Sequence, residues 1–174
     1  CVIFFILKSV YNIGMKVQGL SWQAKNGVIR EIINQDIPFL AASMIEEDRE
    51  SCRREGYGEN TLKAVLSHVF HSSFCFSAED SRGRLILSFG CIPQKDGVCT
   101  IWSFATQELL NIKNSIDSME FFSVFNQILD FINDIYPVII AYIHKDNNRA
   151  KKRMSFGGFK LSALEGETAV YLRD

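Results

Sequence analysis

Two adjacent segments, a long amphipathic stretch and the apolar run after it, constrain the fold more than any other feature. In residues 117–135 the apolar side chains recur every three or four positions, which is the spacing of one helix face. Pro137 ends this helix, because proline lacks an N–H group and clashes with the preceding turn. Residues 138–143 are apolar throughout, a pattern typical of a strand covered on both faces. The chain is therefore predicted to pack a long helix against a buried strand.

The inward face of the long helix is rich in aromatic and branched residues. Asp117, with Glu120 three residues later, resembles a capping box and places the helix start near residue 117. The side chains expected to be buried against a sheet are Phe122, Phe125, Leu129 and Ile132.

A short helix with marked ends is predicted after the apolar run. Asp146 and Asn147 supply side-chain oxygens that can accept from the free N–H groups of its first turn. Paired glycines at 157–158 end it, because glycine adopts left-handed backbone without steric cost. Phe159 opens the next strand. The residues at helical spacing inside it are Ala150, Arg153 and Met154.

The earlier elements are predicted from turn residues and periodicity. Asp36 followed by Pro38 marks a helix start, with Asp36 as its N-cap. Asn60 can cap a second helix that runs to about Ser72. Its predicted apolar stripe consists of Leu62, Val65, Leu66 and Val69. Strands are predicted at 28–33, 74–78, 85–92, 98–104, 159–163 and 168–172.

Two polar features have both a structural and a functional interpretation. Residues 46–56 are dense in charge, and we interpret them as a solvated helix face, with a charged binding surface as the alternative. His68 and His71 stand three apart, which is a spacing that metal ligands use. No third ligand and no His-Glu-x-x-His motif accompany them, so no metal site is predicted.

Charge and composition indicate an ordinary globular domain. The formal net charge is −1 in 174 residues, so no electrostatic signature of nucleic-acid or membrane binding is present. The five cysteines are widely spaced and lack a Cys-x-x-Cys pair, which favours reduced thiols in a cytosolic setting.

The N-terminal segment is predicted to lie outside the domain. Residues 1–10 are apolar except for Lys8 and Ser9, a run too short to span a bilayer. We interpret residues 1–14 as upstream read-through or a cloning remnant, with Met15 as the native start. The predicted organisation is an N-terminal extension over 1–27 and a single domain over 28–174.

The short helix carries a spacing that resembles the acyl-CoA site of the GNAT family of N-acetyltransferases. In that family an Asn precedes an Ala by three residues, and a Gly-Phe pair follows the Asn by eleven and twelve. Asn147, Ala150, Gly158 and Phe159 fit this spacing, whereas Met154 stands where the family has a Tyr. The resemblance implies an α/β (α+β) fold, with a mixed, twisted sheet of about six to seven strands and four to five helices. Residues 98–104 and 138–143 would be neighbouring central strands.

Several shorter motifs resemble a narrower group, the GNAT-like proteins of phages and prophages related to the podophage internal virion protein A family. These motifs are residues 36–44, the charged segment after them, Ser88-Phe89-Gly90, and Ile101-Trp102. The narrower resemblance implies a host-cell cytoplasmic or virion location. It also implies partners among other phage virion proteins or host proteins.

The GNAT resemblance implies where acetyl-CoA would lie. In the family the cofactor occupies a cleft where two parallel strands separate, and one strand pairs with its pantetheine arm. The residues implied to bind the cofactor are Ile101, Trp102, Ser103, Asn147, Ala150 and Met154. No catalytic residue is assigned. Tyr142, on the preceding strand, is a candidate substitute for the missing phenol.

Two departures from the family pattern set the functional alternatives. No glycine occurs between Gly97 and Gly157, so the loop that cradles pyrophosphate lacks its usual residues. The Met154 thioether cannot donate a proton to a leaving thiolate, as the family Tyr does. We therefore predict that acetyl-CoA binds more weakly than about 1 mM.

The leading hypothesis is a virion-associated or interaction protein on a degenerate acyltransferase scaffold. The alternative is a divergent acetyl-CoA-dependent N-acetyltransferase acting on an unidentified amine. A domain that binds another acyl or nucleotide ligand in the same cleft is a third hypothesis. The oligomeric state and the acceptor are left open by the sequence.

Overall fold

An eight-stranded mixed sheet forms the centre of the molecule in the computed structural model. The structure describes residues 19–24, 26–111 and 115–174, with the backbone only for 115–122. The spatial strand order is β1-β2-β3-β4-β5-β6-β8-β7, and among the described strands only β5 and β6 run parallel. The strands are β1 (Ser21–Ala24), β2 (Gly27–Glu31), β3 (Phe74–Asp80), β4 (Leu85–Pro93), β5 (Val98–Ala105), β6 (Val138–His144), β7 (Lys160–Glu165) and β8 (Thr168–Arg173).

Six α-helices lie within the described ranges, against four to five predicted. They are α1 (Asp36–Ser43), α2 (Glu46–Cys52), α3 (Thr61–His71), α4 (Gln107–Leu110), α5 (Ser115–Asn133) and α6 (Asn148–Phe156), and a π-helical turn over Arg53–Tyr57 extends α2. The predicted mixed α+β fold class is confirmed, with one strand more than expected. The β3–β4–β5 meander and the parallel β5–β6 neighbours are also as predicted.

The sheet begins before the predicted domain start at residue 28. Strand β1 pairs with β2 in antiparallel register, from Ser21 opposite Arg30 to Ala24 opposite Gly27. The segment assigned to an N-terminal extension therefore contributes an edge strand. Among the described residues, no helix is both long enough and apolar enough to cross a membrane.

The two faces of the sheet carry separate apolar clusters, because successive strand residues point to opposite sides. On β5, Ile101 packs with the cluster that includes α5 and α6, whereas Trp102 packs with the α1 and α3 cluster. Phe125, Leu129 and Ile132 of α5 are buried as predicted. The predicted burial of Phe122 lies outside the described side chains. Helix α5 begins at Ser115, two residues before the predicted start.

Two predicted faces differ from the structure. In β6 the burial alternates, and Tyr142 is 55% exposed, so the strand is not covered on both faces. In α3 half of the predicted stripe is confirmed, because Val65 is buried and Val69 packs against the same cluster. The other half, Leu62 and Leu66, is exposed. Apolar spacing alone did not distinguish which of two adjacent stripes is buried.

Asp36 begins α1 but does not cap it. Its Oδ2 accepts from the Ile33 N–H at 3.0 Å, and its two oxygens accept from the Arg30 guanidinium at 2.7 and 3.0 Å. Arg30 also pairs with Glu79 on β3. Asp36, which was predicted as the N-cap, therefore forms an ion pair with Arg30 that joins α1 to β2.

Candidate functional site

A gap separates β5 from β6 beyond a short parallel contact. The two strands pair only over three positions, from Val98 opposite Val138 to Thr100 opposite Ile140. At the far end, the Ala105 N–H donates to Asp48 Oδ2 at 2.7 Å, and the Ala105 carbonyl accepts from the Ile45 N–H at 2.9 Å. The backbone edge between these two closures, residues 101–103, faces the gap.

The N–H groups along this edge alternate in direction. The Thr106 N–H donates across to the Ile86 carbonyl of β4, whereas the Ala105 N–H donates away from β4 to Asp48. Counting back by two along the strand, the Ser103 and Ile101 N–H groups point to the same side as that of Ala105. The Ile101 N–H is used by the Thr100–Ile140 pairing with β6, so the Ser103 N–H is the donor that faces the gap. Residues 101–103 therefore present extended backbone with donors and acceptors toward the gap.

A cavity of about 310 Å³ occupies the gap. All six residues implied by the resemblance line it: Ile101, Trp102, Ser103, Asn147, Ala150 and Met154. Tyr142 lines it as well. The structure thus brings the candidate residues together from β5 and α6, while their role in binding a cofactor stays a prediction.

Helix α6 forms the wall opposite β5, and its ends are built as its sequence predicts. Asn147 Oδ1 accepts from the Ala150 N–H at 3.0 Å, which caps the first turn. Gly158 has φ of +77°, and the Phe159 N–H donates to the Met154 carbonyl at 3.0 Å. These bonds fix the direction of the helix and hold Met154 buried in the core.

An acid–base pair that sequence reasoning missed also lines the cavity. Asp48 of α2 is 3% exposed and Arg153 of α6 is 9% exposed. A single contact of 3.4 Å joins Arg153 Nη2 to Asp48 Oδ1. Burial raises the pKa of the Asp48 carboxyl above its ordinary value, and the opposing effects of Arg153 and the Ala105 N–H do not cancel it.

The guanidinium of Arg153 is only partly satisfied. Its Nε and Nη1 atoms are buried and have no hydrogen-bond partner within the part of the chain that the structure describes. A buried donor without an acceptor is costly, so such atoms usually meet a ligand or an ordered water. The side chain lines the cavity, so a ligand there would lie beside this guanidinium.

A second titratable pair lines the same cavity. Glu55 Oε2 lies 3.5 Å from His68 Nε2, and His68 Nδ1 lies 2.8 Å from the Ala64 carbonyl, to which it donates. Partial desolvation raises the pKa of the Glu55 carboxyl, whose side chain is 47% exposed, while the nearby imidazole works in the opposite direction. A carboxyl with a raised pKa beside an imidazole can accept a proton from a reacting group.

The charged segment 46–56 is therefore more than a solvated face. Asp48, Ser51 and Glu55 are spaced by three and four residues and all line the cavity. That spacing was visible in the sequence and was the available signal. His68 belongs to this cavity, and among the described residues no group of three metal-ligating side chains occurs.

The resemblance implies an acyl-CoA ligand, whose parts can be compared with the residues around the gap. The extended edge at 101–103 matches the amide-bearing pantetheine arm, which can pair with a strand as an added peptide does. The segment after β5 forms the short helix α4 and contains no glycine. Residues 112–114 of that segment lie outside the described residues, so only the pantetheine arm is compared with the structure.

Solved structures with the same fold share little sequence with this chain. A GNAT-family acetyltransferase from Bacillus anthracis matches with a TM-score of 0.62 and 14% identity, over 88% of this chain and 98% of that chain. An acetyltransferase from Agrobacterium tumefaciens has a TM-score of 0.62 and 12% identity, over 92% and 97%. A ribosomal-protein-S5-alanine acetyltransferase from Vibrio fischeri has a TM-score of 0.58 and 14% identity, over 89% and 96%.

No protein-family model and no curated protein matches the sequence. The structural similarity shows that the chain has a GNAT-like fold. Because fold alone does not fix activity, any activity of this chain depends on the residues that line the cavity. The relation to the podophage proteins stays a prediction.

Proposed function

We propose that the chain is a divergent acyl-CoA-dependent N-acyltransferase acting on a small amine. The observation that supports this most is the open gap between β5 and β6, bordered by the backbone edge at 101–103. Strand edges in sheets are normally paired or covered, so an edge kept open beside a cavity favours a ligand that completes it.

Acyl-CoA, when bound, would supply a thioester whose carbonyl carbon is attacked by the acceptor amine. The Ser103 N–H faces the gap and can donate to an oxygen that gains negative charge. The Glu55–His68 pair can take the proton that the amine loses as its nitrogen bonds to carbon. Transfer breaks the carbon–sulfur bond and leaves the sulfur with the electron pair.

No protonation of the sulfur by this chain is needed for that step. An ordinary thiol has a pKa of about 8.5, so a thiolate is a tolerable leaving group near neutral pH. Met154 packs in the core and cannot serve as an acid. Catalysis then depends on positioning and proton acceptance, and the turnover is expected to be slow.

Calorimetric titration with acetyl-CoA tests the cofactor. The proposal expects a dissociation constant below about 1 mM, in contrast to the weaker binding predicted from the sequence alone. Ser103→Pro removes the N–H that faces the gap without removing a bond to β4, and it should weaken binding at least about tenfold. Ser103→Ala keeps that N–H and is the matched control, with unchanged affinity. Wild-type affinity weaker than about 1 mM would refute the proposal.

A thiol-release assay with a panel of amines tests the reaction. Glu55→Gln should lower kcat/KM by at least about tenfold, since it removes the proton acceptor and keeps the shape. Glu59→Gln, a change on the nearby charged surface, should have little effect because Glu59 contacts the exposed Arg53 instead. Equal losses in both variants would exclude a role for Glu55 in proton transfer.

The non-catalytic hypothesis is the competing proposal, and it has two supporting features. The family Tyr is replaced by Met154, and the segment after β5 lacks glycine. It would make the chain a phage- or prophage-type virion-associated or interaction protein, with partners in the virion or the host cell. Absence of acetyl-CoA binding, together with absence of thiol release for every amine, would favour it.

A further inference from the structure

We infer that Arg153 is an anion-binding residue and that the acceptor amine carries a carboxylate. This inference rests on the proposed function, because it names the class of substrate for the same cavity. The acceptor would be a small amino acid-like molecule, held by its carboxylate at Arg153 and reacting through its amine.

The free donors of Arg153 support this most directly. The side chain is nine-tenths buried, yet Nε and Nη1 have no hydrogen-bond partner within the described ranges. Nε carries one N–H and Nη1 carries two, so three donors remain for an acceptor in the cavity. Arginine matches carboxylates in both charge and geometry.

Asp48 does not satisfy this guanidinium. Its Oδ1 lies 3.4 Å from Nη2, which is longer than a charge-assisted hydrogen bond, and its Oδ2 is occupied by the Ala105 N–H. Asp48 therefore orients Arg153 toward the cavity and leaves most of its donors free. A purely structural pair would be expected to use both carboxylate oxygens for the guanidinium.

The part of the cavity lined by Glu55 and His68 suits the amine. Glu55 lies seven residues after Asp48 along α2 and the π-helical turn, which corresponds to about 10 Å of helix axis. A zwitterionic molecule can place its carboxylate toward Arg153 and its amine toward Glu55 and His68. The cavity volume of about 310 Å³ is at the lower end for ligand sites, which favours a small acceptor.

The test uses pairs of small molecules that differ in one group. The probes are glycine, 4-aminobutyrate and 6-aminohexanoate, each compared with its own neutral amide, in calorimetric titrations of the protein without cofactor. At least one acid should bind at least tenfold more tightly than its amide. Inorganic phosphate, titrated in parallel, should bind more weakly than that acid; tighter phosphate binding would overturn the carboxylate assignment.

Arg153→Met should abolish the preference for the acid, and Arg153→Lys should retain part of it because the charge remains. Circular dichroism checks that both variants fold, and the wild-type comparison stands without them. If no acid binds more tightly than its amide, the inference is wrong, whatever the result with acetyl-CoA. Failure of acetyl-CoA binding with a retained acid preference would instead refute the proposed acyl transfer and leave the anion site in place.

Discussion

Two acid–base pairs with a buried carboxyl group, Arg30–Asp36 and Arg153–Asp48, differ in how completely their hydrogen bonds are made. Arg30 and Asp36 are joined by two hydrogen bonds of 2.7 and 3.0 Å, and Arg30 also pairs with Glu79. Arg153 and Asp48 are joined by one contact of 3.4 Å, and two nitrogens of Arg153 lack partners among the described residues. The first pair joins α1 to the sheet, and the second lines a cavity.

The carboxyl groups of the two pairs have pKa values shifted in opposite directions. Burial alone would raise the pKa of Asp36, but the hydrogen bonds from Arg30 and the Ile33 N–H outweigh it and lower the pKa. Burial dominates at Asp48 and raises its pKa. A complete pair therefore serves stability, whereas the incomplete pair beside the cavity leaves part of its hydrogen-bonding capacity unused.

The largest expected effect is on the complete pair. Arg30→Met should lower the free energy of unfolding by about 3–5 kcal/mol, because it leaves the buried Asp36 carboxylate without its partner. Urea unfolding at neutral pH measures this loss. A loss below about 1 kcal/mol would mean that the pair contributes little and that the contrast with Arg153 is unfounded.

Arg153→Met is the matched change in the incomplete pair and should cost about 1 kcal/mol or less in the same unfolding experiment. Asp48 already has a raised pKa, so it can take a proton instead of remaining as an unpaired charge. The methionine also removes two buried nitrogen atoms that lack hydrogen-bond partners among the described residues. A loss as large as that for Arg30→Met would show that the two pairs are equally structural.

The pH dependence of the two pairs should have opposite signs. Asp36 binds its proton less readily in the folded chain, so its contribution to stability is present above its ordinary pKa of 3.8 and is lost as the pH falls through the lower folded value. Asp48 binds its proton more readily in the folded chain. Its contribution is present below 3.8 and is lost as the pH rises through the higher folded value.

Unfolding free energies between pH 3 and pH 7 measure this difference. Relative to wild type, Asp36→Asn should be most destabilised at the upper end of the range, and the deficit should shrink as the pH falls. The deficit of Asp48→Asn should instead shrink as the pH rises. Deficits that change in the same direction would contradict the assigned pKa shifts.

The smallest expected effect is that of Met154→Tyr, next to Arg153 on α6. Restoring the family phenol should change the thiol-release rate by less than about threefold, since the thiolate can leave without a proton donor. Met154→Leu is the control for altered packing in this buried position. A gain of tenfold or more in the thiol-release rate would show that the missing proton donor, rather than Arg153, is the main limit on activity.

The fold was largely predictable because its elements carry strong local signals. The spacing on α5, the proline after it and the Asn147 cap of α6 each specify structure within a few residues. Comparison with the family pattern then placed residues 101–103 and 147–154 around one gap. Strand β1 was missed because four residues with little periodicity give a weak signal.

The chemistry of the cavity was predictable only in part. Asp48 and Arg153 are 105 residues apart in the chain, and neither is unusual in its local sequence. A charged helix such as α2 most often faces solvent, so the burial of one of its carboxyl groups is a property of the tertiary packing. Periodicity shows that Asp48, Ser51 and Glu55 share a face, but only the folded chain shows what that face meets.

The three-residue contact between β5 and β6 has a consequence for how the molecule assembles. The β3–β4–β5 meander joins segments that follow one another in the chain, and seven residue pairs register β4 with β5. The β5–β6 contact joins strands that are separated in the chain by α4 and α5. Only three residue pairs offset the chain entropy that is lost when these two strands come together. The walls of the cavity are therefore expected to meet late in folding. Local unfolding should separate β5 from β6 before the β3–β4–β5 meander opens.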